Sequence, residues 1–89
     1  MHYYYIFLDL FSRNGEYEYN HLSVHRLELD KNELEFAREY ASSFYFKDED
    51  EENDERDGGF YFNCGEVYVR IDRVEIITQK EYKILLKFL

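Results

Sequence analysis

From Tyr3 to Phe11 the side chains alternate with period two, placing Tyr4, Ile6, Leu8 and Leu10 on one side and Tyr3, Tyr5, Phe7, Asp9 and Phe11 on the other. Only an extended strand separates residues in this way, so this segment is a strand with at least one buried face. Asn14-Gly15 follows, a dipeptide that tolerates the positive φ of tight hairpins, and a second strand is expected to return from Glu16. A two-residue Asn14-Gly15 loop would set Ile6 opposite Ser23 and Leu8 opposite His21. A three-residue loop from Arg13 to Gly15 sets Ile6 opposite Leu22, Tyr4 opposite Val24 and Phe11 opposite Tyr17. This second register is favoured because it keeps the apolar set together. The alternation changes phase near His25-Arg26, where a bulge or a strand end is expected.

Capping-box spacings, Asp30 with Glu33 or Asn32 with Glu35, precede Leu34, Ala37, Ala41 and Phe44 on one helical face, with Tyr40 at its border. They predict a surface helix near 31 to 46. Phe60-Tyr61-Phe62, a turn at residues 63–66 and Val67 to Ile71 read as a second hairpin, with Val67, Val69 and Ile71 inward. Val74, Ile76 and Ile77 continue as an extended segment. Thr78-Gln79-Lys80-Glu81 then supplies a full capping box, and the helix it opens is expected to turn Tyr82, Leu85, Leu86 and Leu89 inward. The expected fold is α+β in the order ββαββα: one antiparallel sheet of two hairpins with two helices packed on one face. The alternative makes Val74 to Ile77 a fifth strand.

With 89 residues the chain, 1–89, is read as a single domain. Eleven Lys and Arg against 20 Asp and Glu leave a net charge of −9, which opposes direct binding to nucleic acid or an anionic membrane and favours a basic partner. A lone Cys64 cannot form an internal disulfide, and the run from Tyr3 to Phe11 carries Asp9 and lacks a preceding cation. The expectation is a cytoplasmic protein without signal peptide or membrane span.

The charge is concentrated. Residues 47–57, KDEDEENDERD, hold eight acids and two bases and contribute −6 of the −9. A run without an apolar side chain repels itself and cannot bury area, so a mobile acidic loop at 47–59 is expected, with Gly58-Gly59 as its hinge. Deleting 48–57 should then leave the fold intact.

No catalytic or metal motif emerges. On a strand, His21 and His25 stand about 13 Å apart, too far to share an ion. A calcium loop started at Asn53 finds Glu55, Asp57 and Gly58 in place but Cys64 where the bidentate Glu belongs. Cys64 lies far in sequence from every histidine, and no phosphate-binding glycine motif or nucleophile elbow is present. The chain therefore reads as non-enzymatic, with no cofactor.

Two groups of residues are candidates for binding a partner. The first is acidic: Asp48, Glu49, Asp50, Glu51, Glu52, Asp54, Glu55 and Asp57, supported by folded acids such as Glu35 and Glu39. The second is aromatic. Ten Tyr and eight Phe exceed the needs of one small core, and Tyr3, Tyr5 and Phe7 face away from the predicted buried side. Small size, the charge of −9, Tyr-rich strands and the cluster from Asp48 to Asp57 resemble the small acidic inhibitors encoded by phages, the anti-CRISPR proteins and DNA mimics among them. That resemblance implies blocking the Lys/Arg-lined channel of a CRISPR effector or another nucleic-acid-binding protein. The alternative is a structural module that forms a homodimer through its Tyr/Phe face.

Overall fold

In the computed structural model, which describes residues 2–44, 54–62 and 65–89, the alternating N-terminal segment becomes β1 (Tyr3–Asn14) and returns as β2 (Tyr17–Glu28). Then follow α1 (Glu33–Ser42), β3 (Asp54–Arg56), β4 (Gly59–Phe62), β5 (Val67–Ile77) and α2 (Gln79–Phe88). The class is α+β. The strands form one five-stranded antiparallel sheet in the order β2-β1-β5-β4-β3, so β1 lies between β2 and β5 and the sheet has one strand more than the expected four. The extra strand is not Val74 to Ile77, which simply extends β5, but Asp54–Arg56 at the far edge.

The first hairpin differs from both registers weighed from sequence. Asn14 pairs with Tyr17, so the two-residue turn is Gly15-Glu16, and Gly15 occupies its first position at φ 62°. Ile6 therefore meets His25, Leu8 meets Ser23 and Leu10 meets His21, while Leu22 and Val24 lie on the face of Phe7. Because a one-residue change of pairing turns every side chain over, the expected apolar pairing of Ile6 with Leu22 is replaced by histidines above the core. β2 runs unbroken through His25-Arg26, and its next inward residue, Leu27, is 5% exposed. The irregularity sits instead in β5, where the register with β1 shifts past Asp9 and leaves Asp72 at a bulge.

The core lies between the Ile6/Leu8/Leu10 face and α1. Leu8, Leu10, Phe60, Phe62, Val67 and Val69 surround Ala37 and Ala41, whose small side chains let the helix approach the sheet closely. Tyr40, Phe44, Ile71 and Val74 pack around this cluster. Asn32 caps the helix, its side-chain oxygen accepting from Leu34 N at 2.9 Å and Glu35 N at 3.0 Å. Leu34, expected inward, is exposed in the first turn. Tyr4 fastens the preceding connection by donating its hydroxyl to the Lys31 carbonyl.

The two helices do not share a face. Tyr82 of α2 places its ring 4.7 Å from that of Tyr5, which points to the side of β1 opposite Ile6. β5 delivers the chain there because Ile77 ends opposite Tyr5, and the Thr78 capping box starts the helix at once, as expected. Only Tyr82 and Leu85 are half-buried along α2, whereas Leu86 and Leu89 are exposed rather than inward.

The acidic stretch is also more structured than expected over its last residues. Residues 54–59 form a hairpin: Arg56 pairs with Gly59, and Asp57 and Gly58 make its turn at φ 55° and 75°. Asp48, Glu49, Asp50, Glu51 and Glu52 lie outside the described residues, as does Cys64.

Candidate interaction surfaces

Three surfaces carry the polar and aromatic residues singled out above. The first is an aromatic zipper under α1. Phe36 and Tyr40 are spaced four apart on α1 with Phe44 four residues further on, just past the helix end, and His21 and His25 are four apart on the strand. The four-residue step from Phe36 to Tyr40 rises about 6 Å along the helix. The rings interdigitate accordingly: His21 lies 5.0 Å from Phe44, and His25 lies 4.9 Å from both Tyr40 and Phe36. Burial pushes the His25 imidazole below its ordinary pKa, the neighbouring His21 acts in the same direction, and Ser23 Oγ lies 2.8 Å from its Nε2. These histidines are packing groups. No cluster of three or more His, Cys, Asp or Glu able to hold a metal exists among the described residues.

The second surface is the face of the sheet away from α1. Arg26 stacks over Tyr3 at 4.5 Å, Arg70 over Phe11 at 4.5 Å and Arg73 over Phe7 at 5.6 Å from the ring centroids. Arg13 lies over Tyr68 at 5.3 Å and Arg56 over Tyr61 at 4.5 Å. By strand register these five arginines share one face with Asp9, Glu18, Glu28 and Glu75, and Asp72 at the bulge is held to it by Arg70 and Asn20, so acids are interleaved with the arginines there. Arg70 bonds Asp72 at 2.9 Å, and Arg73 bonds Glu75 at 2.7 Å and holds that carboxyl below the usual carboxylate range. Asn20 bridges Asp9 and Asp72, donating at 2.7 and 3.0 Å. The expectation that Tyr3, Tyr5 and Phe7 need a partner to cover them is thus met in part from within the chain, by Arg26, Tyr82 and Arg73.

The third surface is acidic. Glu35 and Glu39 are exposed on α1, flank Phe36 and, with Glu28, rim a hollow of about 400 Å³ that opens between the helix and the end of β2. Lys31 and Arg26 line its other side. Glu55 and Asp57, grouped with them from sequence, have structural roles. Glu55 takes Arg38 of α1 at 2.8 Å, tying β3 to the helix. Asp57 accepts the Tyr61 hydroxyl at 2.8 Å through its carboxylate, which raises the phenol pKa, and the Tyr68 hydroxyl through its carbonyl. Asp54 opens β3 opposite Tyr61.

The arginine-over-aromatic ladder was not anticipated, although its signal exists: Arg13, Arg70 and Arg73 fall at outward positions beside aromatic ones once the register is known. No helix among the described residues is long and apolar enough to cross a membrane. No protein family, curated protein or solved structure matches the chain.

Proposed function

We propose that this chain is a non-enzymatic acidic binding protein that masks a basic surface of a nucleic-acid-handling protein, in the manner of an anti-CRISPR protein or a DNA mimic. The observation that carries this reading is the hollow rimmed by Glu28, Glu35 and Glu39 beside Phe36. Three carboxylates, outnumbering the lining cations Arg26 and Lys31, beside the ring of Phe36 suit a lysine or arginine side chain, which gains an ion pair at its head and apolar contact along its stem. Residues 30–39, in and before α1, carry Asp30, Glu33, Glu35 and Glu39 against Lys31 and Arg38, a net −2 that would steer a basic partner toward the α1 side.

The test is capture from lysate on immobilised protein at about 0.1 M and 1 M salt, where the Debye length falls from about 10 Å to 3 Å. A basic, nucleic-acid-handling protein should be retained at low salt, released at high salt and lost with the double substitution Glu35→Lys, Glu39→Lys. Retention that ignores both salt and that substitution would overturn the reading.

A further inference from the structure

We propose that β2 is a dimerisation edge, pairing antiparallel with β2 of a second copy about a two-fold axis normal to the sheet and centred on Leu22. The inference stands apart from the acidic surface, since it uses the open side of β2 and the residues along it.

β2 is a twelve-residue strand at the margin of the sheet, and β1 is its only strand partner among the described residues. Sheet margins of this length are normally blunted by charged side chains, lysine above all, by proline, by a bulge or by a covering element, and of these β2 carries charges of both signs, Glu18, Arg26 and Glu28. β2 has no proline, no lysine, no glycine and no irregularity in its pairing with β1. α1 leaves its far end open to the hollow that Arg26 and Glu28 line. Tyr17 is 81% exposed and Leu22 40% exposed, so apolar side chains stand exposed along a row of backbone hydrogen-bonding groups that no second strand among the described residues takes up.

Symmetry then selects the register. Two copies of one strand can pair edge to edge in antiparallel fashion only about an axis normal to the sheet, and such an axis keeps each face continuous with its own kind. Residues that meet must therefore be of the same parity. Centring on Ser23 sets Glu18 against Glu28, like charges that repel, and centring on His21 sets Glu18 against Val24. Centring on Leu22 sets Glu18 against Arg26 twice, Asn20 against Val24, and Leu22 against itself. Neither Glu18 nor Arg26 has an ion-pair partner within 4 Å among the described residues, though Arg13 stands opposite Glu18 on β1 and Arg26 stacks over Tyr3, so the pairing brings each a further neighbour of opposite charge. Residues 17–27 of each copy would lie in contact over about 34 Å, at 3.4 Å per residue, joining two five-stranded sheets into one of ten strands.

The test is molar mass by light scattering behind gel filtration, across a concentration series, for the full chain. The wild type should run as a dimer. Glu18→Arg or Arg26→Glu alone places like charges opposite each other at both symmetric sites and should weaken association at least about tenfold. The double substitution should restore the dimer, an outcome that a merely folding-related effect of either change would not give. In a Cys64→Ser background, Leu22→Cys should form a disulfide dimer on oxidation, because its two copies meet within about 5.5 Å. Glu18→Cys should not, its copies standing about 27 Å apart. A wild type that is monomeric at every concentration, a dimer indifferent to both charge reversals, or the absence of the Leu22→Cys crosslink would each overturn the proposal.

Discussion

The His25 ring stands 4.9 Å from the Tyr40 ring at an interplanar angle of 65°, which puts a titratable group inside the aromatic contact that joins α1 to β2. With burial the leading cause and His21 the second, its pKa is lower in the folded chain than the ordinary 6.5. Between the folded and unfolded values the unfolded chain binds more protons, so stability rises with pH across that window.

The expected outcome is a melting temperature that is flat above about pH 7 and declines as pH falls below 6.5 toward the folded value. His25→Phe keeps a ring against Phe36 and Tyr40 but cannot titrate, and should remove that part of the decline. The carboxyls of Glu75 and Glu81, both held below 4.5 in the folded chain, act in a separate and more acidic window, where their contribution is lost as they protonate. Thermal melts of the two proteins between pH 5 and 8 decide the matter: parallel curves would show that His25 contributes nothing.

Gly59 is fixed by lack of space. A Cβ there would lie 2.4 Å from the Val69 carbonyl oxygen and 2.8 Å from carbons of the Tyr68 ring. The carbonyl belongs to the β4–β5 ladder, where Phe60 pairs with Val69, and cannot retreat without loosening the strands that hold Phe60 and Phe62 in the core. Gly59→Ala should therefore cost about 1–3 kcal/mol, read as a lowered urea midpoint with an unchanged slope. An unaltered midpoint would mean that β4 and β5 do not approach so closely.

What the sequence made legible was local. Thr78 and Glu81 cap α2 because both partners lie within one turn, and Asn32 caps α1 for the same reason. Val67 and Val69 were recognisable as inward because the strand period alone places them. The register of the first hairpin was not legible, because scoring Ile6 against Leu22 assumed that apolar residues must meet. The chain instead covers Ile6 and Leu10 with His25 and His21, whose rings belong to a contact made by a helix still to come. The side on which α2 lands depends on where the eleven-residue β5 ends, a length that its bulge at Asp72 helps to set. Among the candidate site residues, Glu35 and Glu39 emerge on one rim, whereas Glu55 and Asp57 are drawn into the fold by Arg38, Tyr61 and Tyr68, which their charge alone did not foretell.

The hairpin at 54–59 had a readable signal, Asp57-Gly58, that seven neighbouring acids obscured. Its turn makes a graded prediction at Asp57, which sits at φ 55° and accepts the Tyr61 hydroxyl at 2.8 Å. Asn tolerates positive φ and can still accept that bond, so Asp57→Asn should leave the melting temperature nearly unchanged. Gly relieves the backbone but loses the acceptor, and the two effects should offset to within about 1 kcal/mol. Ala loses the acceptor and keeps the strain, and should be the least stable, by about 1–2 kcal/mol relative to the parent. The order Asn, Gly, Ala in thermal melts is therefore the signature of a formed turn. Three indistinguishable variants would return residues 54–59 to a free loop, and with it the expectation that the whole of 48–57 can be deleted without loss.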